Sequence, residues 1–445
     1  MVSCSLSMEK TGGYDCLCVA DILLENINFS RITALSCRIN SSFCHKSFFA
    51  EYHFPKTIAG AKIMIMYQRI VLATVTHNVN DDRVFYREAL SLKAIADQVF
   101  VVGVGEKGWR IDKDGITRIQ RPFIGWRKTI ADVQAVLDEL NPDILHIHEP
   151  HLLSVAITFK KKKGISVIYD AHEDYAGIVK IFSHRNPLRR QIVAKLLSFW
   201  ERWYVPKMDA VITVTPQLVK HYQKLNKNII ELRNYPREAG KNRDETAIRQ
   251  INNFADGRYV IGYVGQVARP RNLEWLFETV QNLNAMGFPA VGVIIGPAAP
   301  DDRSYYLDLF TNVAGRFLYL PAIDHAAIHL VIKETFHIGW SVLPYHEIFK
   351  TSLPNKIFEY LQAGVPFAAS ALENLKTLLG HSETGLIFEQ PDPKNMAQKL
   401  AELLEDTERY EKTKQKAESL YKNLFRWEKE AVKLVNLYKG FKKTK

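Results

Sequence analysis

The sequence has few cysteines, and all five lie near its start. They are Cys4, Cys16, Cys18, Cys37 and Cys44. A body without cysteine needs no disulfides and suits a reducing compartment. Cys16 and Cys18 are separated by one residue, whereas paired zinc ligands are usually separated by two to four. The cysteines therefore indicate neither a disulfide framework nor a metal-binding domain.

Long apolar runs are also absent. No window holds 18 uninterrupted apolar residues, so no transmembrane helix is expected. The first 25 residues contain four acidic residues and lack the basic-then-apolar order of a signal peptide. Residues 1–65 show no clear helical or strand period. We interpret them as a poorly ordered extension, or as sequence upstream of a true start at Met64 or Met66.

The composition is that of an ordinary globular protein. The chain has 445 residues, of which 47% are hydrophobic and 24% charged, and its length suggests two or three domains. The net charge of +11 fits a partner that carries phosphates, or an anionic membrane surface. No recognition helix or aromatic-basic sheet motif is found, so we expect no nucleic-acid partner.

From residue 69 onwards, short apolar runs alternate with helical stretches. The predicted strands are 70–75, 99–104, 144–148, 166–169, 210–214, 229–232, 259–264, 291–295, 317–320, 338–343 and 367–369. Many are apolar throughout, which is typical of parallel strands buried on both faces. Helical spacing is clear over 86–96 and 273–286. The alternation predicts an α/β fold with two Rossmann-like, doubly wound parallel-sheet domains.

The predicted domains meet near residues 235–257. The Asn234–Pro236 turn signal ends the first set of strands, and polar sequence follows it. We predict an amino-terminal domain over 66–236, a linker over 237–257, a second domain over 258–415 and a final segment over 416–445. A long helix is expected over 420–438. Ligands of such sheets bind beyond the carboxyl ends of the strands, so the interdomain cleft is the expected site.

The first candidate motif follows the strand at 259–264. Gly265 allows close approach of the backbone to a ligand, and a helix begins near Asn272. Arg269 and Arg271 could add charge-assisted hydrogen bonds to a phosphate. A packing turn with solvated arginines explains the same pattern equally well.

The second motif opens a helix at 352–366. Ser352 is a good N-cap and Pro354 fits the first turn. Lys356 lies where a cation opposes the helix dipole, which makes sense if an anion docks there. Glu359 lies one turn further on, and its carboxylate suits a sugar diol such as ribose. A surface Lys–Glu pair is the alternative interpretation.

Two further motifs follow strands of the first domain. His146 and His148 alternate along one strand face and are followed by Glu149. The two histidines and Glu149 suggest a metal site, but no further ligand of suitable spacing is evident. His172 and Glu173 lie in a run of four ionisable residues after the next strand, which is costly unless those residues are solvated or used.

These motifs, in this order, resemble the retaining glycosyltransferases of family 4, which have the GT-B fold. The resemblance runs from about residue 69 to 437. The strings that carry it are THNVNDDRVFYREALSL (76–92), DILHIHEP (143–150), YDAHED (169–174), RNYP (233–236), IGYVGQVARPRNLEWL (261–276) and SLPNKIFEYLQAGVP (352–366).

The resemblance implies transfer of a sugar from a UDP- or GDP-sugar to a glycan or a polyprenyl- or other lipid-linked acceptor, with retention, in polysaccharide or glycolipid assembly. It implies no metal and no cofactor. The implied diphosphate ligands are Gly265, Arg269, Arg271 and Lys356, with Ser352, Pro354 and Asn355 in the sugar–phosphate loop. The implied ribose ligand is Glu359, the catalytic candidates are His148, His172 and Glu173, and the acceptor-side residue is Arg83. The resemblance also implies that the final helix crosses back to the first domain.

Two positions depart from the family pattern. Thr351 stands where many members have a glutamate, and Gln266 stands where they often have an arginine. These departures leave room for a catalytically silent partner in glycan assembly. Another GT-B enzyme, such as a nucleotide-sugar epimerase or an inverting transferase, is a further alternative.

The segment 180–207 suggests a membrane surface. Its basic residues are Lys180, Arg185, Arg189, Arg190, Lys195, Arg202 and Lys207, against one acid, Glu201. Leu188, Ile192, Leu196, Phe199 and Trp203 recur at helical spacing beside Trp200. Such a helix suits an anionic membrane, and a core-facing stripe with a solvated basic side is the alternative. We expect a cytoplasmic protein, peripheral on the inner face of the membrane.

Overall fold

The computed structural model describes residues 66–113, 115–182, 186–299, 302–313, 315–321 and 323–441. The predicted extension over 1–65 therefore lies outside the described residues. Within those ranges no helix is both long and apolar enough to span a bilayer.

The first domain is built on an eight-stranded sheet. Its strands are β1 (Tyr67–Ala73), β2 (Ala96–Gly105), β3 (Trp109–Lys113), β4 (Ile116–Pro122), β5 (Ile144–Ile147), β6 (Ser166–Ala171), β7 (Ala210–Thr213) and β8 (Ile229–Glu231). The order is β3-β4-β2-β1-β5-β6-β7-β8. All neighbouring pairs are parallel except β3 with β4.

The helices of the first domain lie on both faces of this sheet. They are α1 (Asp82–Ala89), α2 (Leu90–Leu92), α3 (Trp126–Leu140), α4 (Leu153–Lys163), α5 (Tyr175–Phe182), α6 (Pro187–Tyr204) and α7 (Pro216–Tyr222). One apolar cluster joins α3 and α4 to one face of the sheet, and another joins α1 and α2 to the opposite face. β5 is buried along its whole length because both of its faces are covered.

The second domain has a six-stranded, fully parallel sheet of order β11-β10-β9-β12-β13-β14. Its strands are β9 (Tyr259–Val264), β10 (Ala290–Ile295), β11 (Phe317–Leu320), β12 (Ile338–Ser341), β13 (Phe367–Ser370) and β14 (Gly385–Phe388). Its helices are α8 (Glu245–Ala255), α9 (Glu274–Ala285), α10 (Arg303–Asn312), α11 (Ile328–Thr335), α12 (Glu347–Lys350), α13 (Asn355–Ala363), α14 (Glu373–Leu379), α15 (Pro393–Glu405) and α16 (Thr407–Leu424).

The predicted α/β class with two parallel-sheet domains is confirmed. All eleven predicted strands are present within three residues of their predicted bounds. Three strands were missed, namely β3, β4 and β14. β4 escaped because Arg118 and Gln120 are buried polar residues that interrupt its apolar pattern.

The helix predicted over 86–96 is instead formed by α1 and α2, which together run from Asp82 to Leu92. α1 is wound as a π-helix from Asp82, and the carboxylate of Asp81 caps it by accepting from the backbone N–H groups of Arg83 and Val84. π-Helical turns occur often at functional sites, because the wider winding re-aims side chains. Here it directs Arg83 and Glu88 into the buried interior.

The chain returns to the first domain at its last helix, α17 (Trp427–Lys439). Trp427, Leu434 and Tyr438 are buried in the core beneath β1 and β2. The single helix predicted over 420–438 is instead two helices that separate at 425–426. α16 packs on the second domain and runs through the boundary predicted at 415–416, so the crossing lies about ten residues later.

The segment predicted as a linker over 237–257 is also partly structured. α8 begins after the N-cap Asp244, whose carboxylate accepts from the N–H of Ala247. Ile248 and Ile251 on its inner face belong to the core of the second domain. The sequence looked polar because the outer face of this short helix is solvated.

Candidate active site

Two glycine turns meet at the carboxyl ends of β9 and β10. Gly265 has φ 135° and Gly296 has φ 143°, a region that side chains with a Cβ rarely adopt. A Cβ on Gly296 would lie 2.1 Å from the carbonyl oxygen of Gly265, and one on Gly265 would lie 3.4 Å from Nζ of Lys356. Both turns therefore require glycine. Because Gly265 has no side chain, its backbone lies close to the amino group of Lys356.

Lys356 lies in the first turn of α13, as predicted. The predicted N-cap was wrong, however, because α13 begins at Asn355 and its N-cap is Pro354 rather than Ser352. No side chain of the described residues caps this end. The Nζ atom lies 4.6 Å from the ring centroid of Tyr263. Burial, then the charge of Arg271, lowers the pKa of Lys356 to about 7.

The two arginines of the first motif have different surroundings. Arg271 is close enough to affect the pKa of Lys356, Tyr263 and Glu173. Arg269 lies across an exposed tyrosine ring, 4.6 Å from the centroid of Tyr305, and its Nε is 3.2 Å from Oδ1 of Asp302. The structure therefore brings Arg271, and not Arg269, together with Lys356.

Glu359 lies where the two domains meet. Burial raises its pKa, and the neighbouring charges include His325 and, from the first domain, Asp82 and Arg87. His325 spans the cleft, with its Nε2 3.2 Å from Oδ1 of Asp82 and its ring stacked 5.3 Å from that of Tyr86. The predicted ribose ligand is thus bordered by both domains.

The loop predicted to hold sugar and phosphate connects the domains as well. Ser352, Pro354 and Asn355 are at least partly accessible in it. The carbonyl oxygen of Thr351 accepts a 2.6 Å hydrogen bond from Nδ2 of Asn374. Asn374 also exchanges amide hydrogen bonds of 2.8 and 2.9 Å with Gln217 of the first domain.

His172 and Glu173 are partly accessible on the first-domain wall of the cleft, where the charge of Arg271 from the second domain acts on the pKa of Glu173. Sequence reasoning missed a third member, His77, which follows the end of β1. Its Nε2 is 3.3 Å from Nε2 of His172, so one ring donates and the other accepts. Burial would lower the pKa of His77, but the hydrogen bond and charge of Asp81 outweigh it and raise the pKa to about 9. The raised pKa favours the charged form of His77 at neutral pH.

Glu149 anchors the loop that presents His77. Its carboxylate accepts from the hydroxyls of Thr74 and Thr76 and from the backbone N–H of Val75, the last at 3.1 Å. It also lies 3.6 Å from Nε2 of His77. Its oxygens hold this loop, so the metal set of His146, His148 and Glu149 considered from the sequence is not assembled. The sequence feature that could have identified His77 as a site residue is its position just beyond the end of a predicted strand.

His148 and Arg83 lie beneath this wall rather than on it. His148 is 0% exposed, and Arg83 is 5% exposed. Nε of Arg83 donates a 2.7 Å hydrogen bond to Oδ2 of Asp170. Both side chains are therefore closed off from the cleft in this structure, and their contacts with a transferred sugar and an acceptor stay predictions. Of the two predicted catalytic histidines, His172 is the more accessible, since 10% of its side chain is exposed.

A cavity of about 520 Å³ lies elsewhere, between β14 and α16. Its lining includes Arg409, Lys412 and Glu383 but none of the residues of the cleft. The site is therefore better defined by its converging polar groups than by this cavity.

Two family models match the chain, one to each domain. Residues 84–230 match the family described as Glycosyltransferase Family 4. Residues 244–420 match the family described as Glycosyl transferases group 1. No curated protein sequence matches the chain at a significant level.

Solved structures with similar folds share little sequence with the chain. A sucrose-phosphate synthase from Thermosynechococcus elongatus has a TM-score of 0.62 and 19% identity, covering 84% of this chain and 98% of that one. HepE of Anabaena, in complex with UDP and glucose, has a TM-score of 0.63 and 12% identity, covering 84% and 100%. The α,α-trehalose-phosphate synthase (UDP-forming) of Burkholderia xenovorans, in complex with glucose-6-phosphate, has a TM-score of 0.62 and 12% identity, covering 84% and 100%.

At these identities the solved structures bear on the fold alone, and they share the arrangement of two facing domains. The family models bear on the activity, since one matches most of the first domain and the other most of the second. This chain therefore has the GT-B fold and is a glycosyltransferase, with a first domain similar to Glycosyltransferase Family 4 and a second similar to Glycosyl transferases group 1.

Proposed function

We propose that the protein transfers a sugar from a UDP- or GDP-sugar to a glycan or lipid-linked acceptor, with retention of the anomeric configuration. The observation that carries the proposal is the approach of Lys356 and Arg271 to the turn at Gly265. Two cations held together at partial burial destabilise each other unless an anion joins them. A nucleotide diphosphate has the charge to do so.

The placement of Glu359 supports a nucleotide rather than a free phosphate. It follows Lys356 by one turn of α13, so a ligand on the lysine can also reach this carboxylate. A carboxylate accepts two hydrogen bonds, which suits the vicinal hydroxyls of a ribose. HepE, which is similar in fold, has been solved with UDP and glucose.

The cations also fit the chemistry of the proposed transfer. The bond between the anomeric carbon and the phosphate oxygen breaks, and negative charge grows on the diphosphate. Arg271, Lys356 and the uncapped start of α13 stabilise that charge where it develops. We propose that these groups suffice for the donor without a metal ion.

Retention follows if the acceptor hydroxyl attacks from the face that the diphosphate leaves. The acceptor oxygen then bonds to the anomeric carbon, and its proton passes to the departing phosphate oxygen. The contacts of His325 with Asp82 and Tyr86 join the two domains beside the cleft, which supports closure over such a complex. Closure would exclude water and limit hydrolysis of the donor.

Binding of UDP, GDP and ADP to the full chain, by calorimetry in the presence of a chelator, tests this proposal. We expect one nucleotide to bind and Glu359→Ala to lose that binding. Glu389→Ala is the matched control, because Glu389 is an exposed glutamate of the same domain that pairs with Lys376. A folded chain that binds none of the three would overturn the donor site and favour a silent partner in glycan assembly.

We also propose that the acceptor is presented at an anionic membrane, to which α6 binds. Four apolar side chains of this helix are exposed, namely Leu188, Ile192, Phe199 and Trp203. Its opposite face packs on the first domain through Val193, Ala194 and Leu197. Most of the stripe is therefore not core-facing, although Leu196 is partly buried. Arg185 of the predicted basic set lies outside the described residues.

Basic groups accompany this exposed stripe. Nζ of Lys207 lies 4.1 Å from the ring centroid of Trp203. Lys195 and Arg202 are exposed on the same helix. A helix with exposed aromatic and basic residues suits the headgroup region of an anionic bilayer, at the inner face of the cytoplasmic membrane.

Sedimentation with vesicles tests the membrane proposal. We expect the full chain to bind vesicles that contain phosphatidylglycerol and not those of phosphatidylcholine alone. Phe199→Ser with Trp203→Ser should abolish this binding, whereas Met286→Ser, which removes an exposed apolar side chain of the second domain, should not. Equal binding of the double variant and the unaltered chain would overturn the role of α6.

A further inference from the structure

A group of four potential metal ligands lies buried in the first domain. Glu88, His146, His148 and Asp170 are each 0% exposed. One ligand atom from each lies within 4.8 Å of the corresponding atom of every other member. His146 lies in β5 and His148 directly follows its last residue, while Asp170 comes from the neighbouring β6 and Glu88 from α1. Three separate elements therefore direct their donor atoms to one point.

These donor atoms are not satisfied by one another. Oε2 of Glu88, Nε2 of His146 and both ring nitrogens of His148 have no hydrogen-bond partner among the described residues, while Oε1 of Glu88 has only the ion pair with Arg83. Unpaired polar groups at full burial are rare, because each forfeits its hydration. Their number here points to a ligand that uses all of them together.

The distances fit a metal ion better than direct hydrogen bonds. Nε2 of His146 is 3.9 Å and Nε2 of His148 is 3.6 Å from Oε2 of Glu88. Nε2 of His146 is also 3.9 Å from Oδ2 of Asp170. Hydrogen bonds are about 2.7–3.2 Å long. Ligand atoms about 2.1 Å from a tetrahedral zinc ion are about 3.4 Å apart, close to the observed spacing.

The charge of the group also calls for a cation. Arg83 faces both carboxylates, with its Nε 2.7 Å from Asp170 and 3.1 Å from Glu88. When both carboxyl groups are ionised, one guanidinium leaves one negative charge, and an uncompensated charge at full burial is costly. Neutral imidazole is the form that binds metals.

The surrounding contacts orient the ligands. Nδ1 of His146 is 2.8 Å from the hydroxyl of Tyr438 on α17, which leaves Nε2 directed at the carboxylates. The rings of His146 and His148 are stacked at 4.7 Å and nearly parallel, at 14°. A hydrogen bond to the second ring nitrogen of a histidine ligand is the usual support of a metal site.

We propose that Glu88, His146, His148 and Asp170 hold a transition-metal ion, with zinc the best match to two imidazoles and two carboxylates. The ion ties β5, β6 and α1 together and, through His146, fixes α17. It lies beneath the wall that carries His172, whose Nδ1 is 3.7 Å from Oδ1 of Asp170. The site is separate from the diphosphate ligands of the second domain, so its occupancy does not depend on the proposed donor chemistry.

Metal analysis of the full chain, expressed with zinc supplied and dialysed against metal-free buffer, tests this proposal. We expect about one zinc per chain. Glu88→Gln and His146→Asn should each lower the content to below about a tenth of that value. His151→Asn is the matched control, because His151 is also buried in the first domain with both ring nitrogens unpaired among the described residues, but lies outside the group.

The cysteines of residues 1–65 require their own control. A variant with all five changed to serine should keep the zinc, and loss of zinc in it would overturn the proposal. Cobalt supplied in place of zinc should give visible bands without the near-ultraviolet band of a cobalt–thiolate bond. This spectrum needs no variant of the site, so it remains informative if Glu88→Gln or His146→Asn fails to fold.

One outcome assigns the group differently. If the folded chain takes up neither zinc nor cobalt, the proposal is overturned and a proton on Glu88 supplies the missing charge. The pKa of Glu88 is raised by burial, which fits that alternative. A content of about one ion per chain that survives dialysis, and falls in both site variants but not in the control, would establish the site.

Discussion

Lys356 gives the sharpest test of the donor site, because its protonation should be coupled to nucleotide binding. Burial and Arg271 lower its pKa to about 7, so the free protein loses this charge just above neutral pH. A diphosphate placed between the two cations favours the charged lysine. Binding should therefore raise the pKa of Lys356 towards its ordinary value near 10.4 and take up a proton.

The expected size of the effect follows from these two pKa values. At pH 8 a group of pKa 7 is about 90% neutral, so binding should take up roughly 0.9 proton. The second phosphate pKa is about 6, so the ligand itself is already ionised between pH 7.5 and 9. Over that interval each pH unit should weaken binding by up to about tenfold.

Calorimetry in two buffers that differ in ionisation enthalpy measures the proton uptake directly. Lys356→Arg is the decisive variant, because arginine keeps its charge over the whole interval. Its affinity should vary little with pH, although its different shape lowers the absolute affinity. His77 provides the competing source of a pH effect, since its pKa is about 9. A slope that is absent from the unaltered chain, or that persists in Lys356→Arg, would refute the assignment to Lys356.

Three further predictions concern the buried parts of the fold. Gly296→Ala should lower the free energy of unfolding by more than about 2 kcal/mol in urea titrations, because its Cβ would clash with backbone, whereas Gly287→Ala, with open space at its Cβ, should cost about 1 kcal/mol. Arg83→Gln should lower the free energy of unfolding by about 3–5 kcal/mol, because it leaves buried carboxylates without their cation. The exposed Arg269→Gln should lower it by less than about 1 kcal/mol, and equal losses in the two variants would contradict the argument from burial. Burial raises the pKa of Glu201 to about 7, so its contribution favours the folded state below about pH 4.5 and is lost as pH rises through 7. Between pH 4.5 and 8 the ionisation of Glu201 should lower the free energy of unfolding by up to about 3 kcal/mol, and Glu201→Gln should remove this pH dependence in urea titrations. The same pH dependence in the variant would contradict the role of Glu201.

The donor side of the cleft could be predicted because its residues are neighbours in sequence. Lys356 and Glu359 share one helix, and Gly265 and Arg271 share one loop, so helical spacing and strand ends locate them. Ser352 was nevertheless the wrong N-cap. The backbone of Pro354 is already extended at φ −62° and ψ 122°, so the helix begins two residues later than the preferred capping residue suggested.

The interior of the first domain could not be predicted in the same way. Glu88, His148 and Asp170 are separated by 60 and 22 positions, and only the parallel pairing of β5 with β6 brings the last two together. Glu88 reaches them because α1 is wound more widely than an ordinary helix. Contacts between residues of three separate elements leave no local pattern in the sequence. The burial of His148 could not be predicted for that reason.

The position of α17 has a consequence for the timing of synthesis. The first domain's own strands end at Glu231, yet its core includes Trp427 and Leu434. About 200 further residues must be made before that core can close, which takes about 10–40 s at usual translation rates. During this interval the apolar faces of β1 and β2 lack their final cover. The nascent first domain is therefore a natural client for chaperones, and the second domain can fold before the first is complete.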